Sequence, residues 1–392
     1  MAKVLTPREI LAALISFPTV SRDTNLPLVD WVCDYLDTHG IEVHRWPDPA
    51  QPHKAAVIAH AGPRREGAVV LSGHTDVVPV DGQPWDSDPF TLTERDGRLY
   101  GRGTTDMKGF DALAIWALVE AQRRGVARPL QLALSFDEEL GCTGAPPMIA
   151  AMQGMVPKGA SVIVGEPSMM KAVTGHKGGE GYFVDVWGFE VHSSILHTGV
   201  SAVMEAARII DWANRVNAEE MARAPGPLAA MFDPPFTTLH VGTIAGGTAQ
   251  NITAKHCRFD IGYRATPDAE PGSWDRRIRD RLAEAEAAMK AVHPEARIDV
   301  DARFRVPPLR PEERGEAEGL ARAITGDNAT HVVSYGTEAG QFQEAGYSAV
   351  VCGPGDIAQA HQPNEFITLA QFRAGQDFME GLLDRLGGKA AA

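Results

Sequence analysis

The chain predicts an α/β catalytic body interrupted by a separate α+β insert, and three observations carry that expectation. Short apolar runs alternate with a helical pattern up to about residue 178. The rhythm breaks after Gly179 into half-exposed alternation and long helices, and it resumes near residue 310. Strands alternating with helices build a mixed, largely parallel sheet covered on both faces. A β-α-β-β-α-β order instead packs helices on an antiparallel sheet. The expected boundaries are 1–179 and 309–392 for the catalytic domain and 180–308 for the insert.

Taken in order, Thr6-Pro7-Arg8-Glu9 reads as a capping box with proline at the first helical position, opening a helix that takes in Ile10 to Phe17. No small-residue cleavage site follows, so this apolar stretch is a helix and not a signal peptide. Apolar runs at 68–71, 132–134 and 161–164 read as buried strands. Between the first two, 110–124 has apolar residues at helical spacing, Leu113, Trp116, Ala117 and Val119 among them. In the insert, 182–187 alternates like a half-exposed strand, and a long helix runs from 201 to about 221. Strands follow at 237–243 and 252–263, then a helix over 273–290 and a strand over 297–306. Beyond it the pattern predicts a helix over 312–324, a strand at 332–334, a helix over 338–344, a strand at 348–352 and a final helix over 369–386. Residues 387–392 read as a frayed tail.

Composition narrows the function. The 392 residues hold 51 Asp and Glu against 37 Lys and Arg, a formal charge of −14. That opposes nucleic acid or an anionic membrane surface as a partner. No apolar run approaches the roughly 20 residues of a membrane-spanning helix. Cys33, Cys142, Cys257 and Cys352 lie far apart without metal-type spacing, as expected of free thiols in a reducing cytoplasm.

The residues that carry chemistry fall beside the predicted strands. His74-Thr75-Asp76 follows the run at 68–73, Asp137-Glu138-Glu139 follows 132–136, Glu166 follows 162–165, and His361 lies in the loop beyond 350–352. Ligands bind in the crevice outside the carboxyl ends of such strands. Asp106 joins them from a glycine-bounded loop, Gly101 to Gly109, just before a helix. Two imidazoles with several carboxylates at one sheet edge suit a pair of zinc ions, because divalent cations remove the repulsion among the acids. Taken singly, each residue is better explained as a cap or turn residue. Their gathering is what points to metal.

His74-Thr75-Asp76-Val77-Val78-Pro79, Gly101 to Gly109, Asp137-Glu138-Glu139 and Gly165-Glu166-Pro167-Ser168 resemble, in order and spacing, the dinuclear-zinc deacylases and aminopeptidase-like exopeptidases. The resemblance spans nearly the whole chain, and it implies a zinc-exopeptidase-like catalytic domain. It implies that Asp106 bridges two Zn²⁺, with Co²⁺ a possible substitute, one ion completed by His74 and Glu166 and the other by Glu139 and His361. Asp76 would orient the His74 imidazole, and Glu138 would be the general acid/base. The insert would form a homodimer, with His192 stabilising the oxyanion in the neighbouring subunit's site. Asn251 and Arg264 would contact substrate, the arginine taking its α-carboxylate.

Ser334-Tyr335-Gly336-Thr337-Glu338-Ala339, Gly353-Pro354-Gly355-Asp356-Ile357 and Gln359-Ala360-His361-Gln362-Pro363-Asn364-Glu365 resemble the acetyl-removing members of that family. Gly175-His176-Lys177-Gly178 points the same way, since desuccinylases tend to carry paired arginines there for a second substrate carboxylate. The implied substrate is a small N-acetyl amino acid, contacted also by Gly336 and Thr337. Glu338 would meet a cationic side chain of that substrate, or would simply be an acid favoured at a helix start.

Overall fold

The structure, a computed structural model, describes residues 3–387; beyond Gly387 the expected tail lies outside the described residues. The chain divides into two compact units. One comprises the residues up to Gly175, Leu309–Val332 and the residues from Thr337 onward; the other comprises His176–Pro308 with Val333–Gly336.

The first unit is built on an eight-stranded sheet ordered Glu42–Pro47, Ala55–Ala61, Leu130–Ser135, Ala68–His74, Gly159–Pro167, Ser348–Gly353, Val173–His176 and His331–Val333. Its four central strands, from Leu130–Ser135 to Ser348–Gly353, pair in parallel, and antiparallel strands flank them. The sheet is therefore mixed, and its parallel part is the part that carries the chemistry. Alternate residues along these strands, Val69 and Leu71, Leu130, Leu132 and Leu134, and Val350 and Cys352, join one core with the helix Lys108–Arg124. That helix is buried from Lys108 to Ala121, which is why its apolar residues do not keep to one stripe. The helix Leu369–Leu386 packs on it, and Ala145–Met155 meets the sheet elsewhere. Thr6 and Glu9 form the expected capping box around the helix Pro7–Ile15.

Several boundaries differ from expectation for identifiable reasons. The strand expected at 161–164 runs from Gly159 to Pro167, so Glu166 stands inside it, because pairing with Ser348–Gly353 continues to Gly353 opposite Pro167. The helix expected over 312–324 is Glu316–Thr325. Glu312 instead accepts hydrogen bonds from the Ser348 hydroxyl (2.6 Å) and the Ala349 N–H (3.1 Å). The strand Ala55–Ala61 had no signal, being alanine at four of its seven positions.

The second unit holds a sheet ordered Thr238–His240, His256–Ala265, Gly178–Trp187 and Arg297–Val306, with Ile244–Gly246 also paired to His256–Ala265. Its ladders are antiparallel. The short strand Ile244–Gly246 adds one member to the expected β-α-β-β-α-β order, and the strand placed at 252–263 begins at His256. The helices Ala202–Ala222 and Ser273–Val292 bury Ala206, Ile209, Ala213 and Val216, and Ile278, Leu282, Ala285 and Met289, against Tyr182, Val184, Val186, Cys257, Phe259 and Ile261. All four cysteines are free. Among the described residues no helix is long and apolar enough to cross a membrane.

Candidate metal centre

The first unit alone assembles the predicted ligands. His74 is the last residue of its strand, preceded by Gly73. A Cβ on Gly73 would fall 2.0 Å from Asp111 Oδ1, and one on Gly165, ahead of Glu166, would fall 2.0 Å from the Phe110 ring. Both ligand-bearing strands thus press against the helix Lys108–Arg124 at positions only glycine can fill. Asp106 closes the loop that leads into that helix, and its two oxygens face two different histidines. Oδ1 lies 3.1 Å from His74 Nε2, and Oδ2 lies 3.2 Å from His361 Nε2. Glu166 stands 3.6 Å from His74 Nε2, and Glu139 stands 3.1 Å from His361 Nε2.

Donor atoms of His74, Asp106 and Glu139 lie within 4.8 Å of one another, as do those of His74, Glu138 and Glu166. These groups share His74, while Asp106 lies between His74 and His361; imidazole and carboxylate donors so arranged fit two divalent cations. The electrostatics of the bare site agree. Burial raises Glu166 well above the usual carboxylate range, helped by the neighbouring Asp106 and Glu138 charges. Burial together with Asp106 pushes Glu139 up to about 7. At Glu138 burial outweighs the pull of His74 and, with Glu139 beside it, raises the carboxyl to about 8. At His74 the cost of burial is overcome by Asp106 and Asp76, so its pKa rises, and hydrogen bonds to Asp106 and Glu139 lift His361 to about 10. Asp106 stays below its ordinary range despite burial, because both histidines hold its charge.

Asp76, expected beside the His74 imidazole, reaches several groups at once. The nearest acceptor to His74 Nδ1 is the Asp76 backbone carbonyl at 2.9 Å, with the carboxylate at 3.6 Å. The carboxylate accepts the backbone N–H groups of Glu138 (3.1 Å) and Glu139 (3.3 Å) and the Ser21 hydroxyl (2.7 Å). One buried acid therefore contacts His74, Glu138 and Glu139 together.

Three supports had no signal of their own in the sequence. Lys54, 1% exposed, ion-pairs with Asp137 at 2.8 Å and donates to the Ser21 carbonyl at 2.6 Å, while Gln51 reaches the other Asp137 oxygen at 3.0 Å. Asp137 itself has φ +54°, turning the chain into Glu138 and Glu139. Lys54→Ala would leave a buried carboxylate unpaired, with an expected stability loss of about 3–5 kcal/mol, read as a lower urea midpoint. An unchanged midpoint would show that the pair is dispensable. Glu365 clasps the Asp106 loop, accepting Arg102 Nη1 (2.8 Å) and the N–H groups of Gly103 (3.1 Å), Thr105 (2.9 Å) and Asp106 (3.1 Å). The Cys142 thiol donates to Glu138 Oε1 at 3.0 Å, so a cysteine that binds no predicted metal touches the predicted base.

Two expected substrate contacts, Glu338 and Thr337, are buried within the first unit. Glu338 is 1% exposed and bonds the hydroxyls of Ser135 and Ser72, the latter at 3.2 Å; its carboxylate is occupied inside the unit. Thr337 is fully buried, and its hydroxyl accepts the Ala339 N–H at 3.1 Å. His192, Asn251, Arg264 and Gly336 belong to the second unit. There the Ser193 N–H donates to the Asn251 carbonyl (2.9 Å), bringing His192 beside Asn251. The exposed His192 ring accepts the Ser194 N–H at Nδ1 (3.2 Å), which in the neutral ring leaves the proton on Nε2. The Arg264 guanidinium lies over the Phe304 ring, 6.0 Å from its centroid. Gly336 sits where a Cβ would meet Val306 at 2.8 Å.

Known proteins agree with this architecture. The chain is 36% identical over 367 residues to an acetylornithine deacetylase of Myxococcus xanthus, covering 92% of each chain. It is 32% identical over 389 residues to that of Proteus mirabilis, covering 97% of each. Among solved structures, an M20 family metallo-carboxypeptidase of Sulfolobus solfataricus superposes with a TM-score of 0.78 over 97% of this chain and 99% of that one, at 16% identity. The model of peptidase family M20/M25/M40 matches residues 70–385, from the strand that ends in His74 to the last helix, and the chain belongs to that family.

Proposed function

We propose that the protein is a metal-dependent amide hydrolase that removes the acetyl group of N2-acetyl-L-ornithine, giving L-ornithine and acetate. The observation that carries the chemistry is Asp106, whose two oxygens face His74 and His361 separately. The substrate follows from the relatives' names at 36% and 32% identity over nearly the full chain.

His74, Asp106 and Glu166 would hold one ion, and His361, Asp106 and Glu139 the other. Zn²⁺ suits this mixture of imidazole and carboxylate, and Co²⁺ can replace it. When bound, the two ions polarise the acyl carbonyl and bring the acidity of water close to neutral pH. Glu138 accepts a proton as the water oxygen bonds to the acyl carbon. It then passes that proton to the departing amine nitrogen as the C–N bond breaks. Asp76 keeps His74 and the Glu138 backbone aligned throughout.

In the second unit, Arg264 takes the substrate α-carboxylate, Asn251 and Gly336 contact substrate, and His192 donates from Nε2 to the oxyanion. His192 acts in the site of a partner subunit, within a homodimer formed through this unit. The protein would work in the cytoplasm, in arginine biosynthesis.

A panel of N2-acetylornithine, N-acetylcitrulline, N-succinyl-diaminopimelate and a dipeptide, assayed with zinc- and cobalt-restored enzyme, tests the assignment. N2-acetylornithine is expected to give the highest kcat/KM. A higher value for the dipeptide would make the protein a peptidase, and no turnover of any of them would refute the amide-hydrolase reading.

A further inference from the structure

Glu338 is a buried acid near the site whose partners lie on two different strands. Ser72 belongs to the strand Ala68–His74, two residues before the ligand His74, and Ser135 ends the strand Leu130–Ser135, three residues before Glu138. These strands are parallel neighbours, with Ser72 opposite Ala133 and His74 opposite Ser135. Side chains two residues apart on a strand share a face, so Ser72, His74 and Ser135 all project to the same side of the sheet. Glu338 bonds both serines from the start of the helix Ala339–Glu344.

Beyond this rung the ladder ends. The last backbone link between the two strands is the Thr75 N–H to the Ser135 carbonyl (3.0 Å), joined by the Thr75 hydroxyl (2.8 Å); past it only the Asp76 carboxylate, accepting the Glu138 and Glu139 N–H groups, ties the segments. From there each chain turns away to present metal-binding and basic side chains. A helix-start role does not explain Glu338, because its side chain makes no capping bond to the helix. Direct contact with a substrate amine does not explain it either, with both hydroxyls in place and 1% exposure.

We propose that Glu338 is a positioning residue: by bonding Ser72 and Ser135 together, it holds the two strand ends at the spacing that sets His74 against Glu138 and Glu139. It acts through the serines and touches neither substrate nor metal. The inference rests on the metal-centre reading of the site, and a metal-affinity measurement tests it separately from the choice of substrate.

Zinc affinity of the purified chain is measured by competition with a chromophoric chelator, alongside kcat and KM for N2-acetylornithine and an N-acetyl amino acid with an apolar side chain. Glu338→Ala is expected to weaken zinc binding by about 10- to 100-fold, the usual cost of losing a partner that supports a ligand. It should lower kcat in similar proportion on both substrates, with KM within about twofold of the parent, because no ground-state contact is lost. Glu338→Gln, which keeps one acceptor, should recover part of both losses. In a Ser72→Ala/Ser135→Ala background, Glu338→Ala should add little, since coupled residues are not additive. Should Glu338→Ala fail to fold, the serine variants carry the test, each with an expected loss of zinc affinity. Unchanged zinc affinity in the folded variants overturns the proposal. So does a KM increase confined to N2-acetylornithine, which would restore Glu338 as a substrate contact, or full additivity with the serine changes.

Discussion

Glu138→Ala is expected to lower kcat on N2-acetylornithine by about 10²- to 10⁴-fold, the span that a positioned general acid/base contributes. The expectation follows from how completely the structure prepares this carboxyl. Its backbone N–H is held by Asp76 and its Oε1 by the Cys142 thiol. In the chain without metal, burial and the Glu139 charge raise its carboxyl to about 8. Neither histidine–carboxylate contact of the shared Asp106 involves Glu138, so the variant should still bind two equivalents of zinc. Single-turnover rates with metal content measured by elemental analysis check both halves. Activity within threefold of the parent would remove Glu138 from the mechanism, and a zinc content of one would make it a ligand.

Stripping the metal is expected to abolish turnover and to destabilise the fold more at pH 8 than at pH 5. Glu139 at about 7, Glu138 at about 8 and Glu166, also raised, bind protons in the folded state at pH values where the unfolded chain has released them. His361, at about 10, does the same at higher pH, as does His74. Stability falls with rising pH wherever the native state holds more protons. Between the unfolded carboxylate value near 4.5 and pH 8, these groups therefore all weaken the bare protein in the same direction. Asp106, shifted downward, contributes the opposite slope only at more acid pH. Metal needs deprotonated ligands and binds more tightly as pH rises. At a thousand times its dissociation constant a single ion adds about 4 kcal/mol. Thermal melts with and without added zinc should diverge steadily from pH 5 to pH 8. A constant gap, or one that widens toward acid, would contradict the electrostatic account.

Most of the candidate site was legible because its members announce themselves locally: His74, Asp106, Glu138, Glu139 and Glu166 each sit at the edge of an apolar run or in a glycine-bounded loop. The fold was legible for the same reason wherever a strand is a run of branched or large apolar residues. It was not legible at Ala55–Ala61, whose alanines form a strand only because neighbours on both sides bury them. Lys54, on the threshold of that strand, was lost with it, although it holds Asp137. Glu338 shows a different limit. A family motif placed it near the site, but only the register of two strands reveals that it faces Ser72 and Ser135. Cys142 was set aside on sequence spacing, which is a test for metal and says nothing about a thiol four residues from a base.

The order in which the first unit's parts occur along the chain has a consequence for how the protein is made. The segment up to Gly175 contains His74, Asp106, Glu139 and Glu166, but His361 and the Glu365 clasp on the Asp106 loop come from the segment that follows the second unit. The strand Ser348–Gly353 also inserts between Gly159–Pro167 and Val173–His176, which are near neighbours in sequence. While the ribosome is still translating the intervening residues, the emerging chain displays a cluster of acids with one imidazole and a gap in its sheet. Of the two ions proposed above, the one that His361 would help to hold could find its full donor set only once translation has passed His361, whereas His74, Asp106 and Glu166 are all made before the second unit.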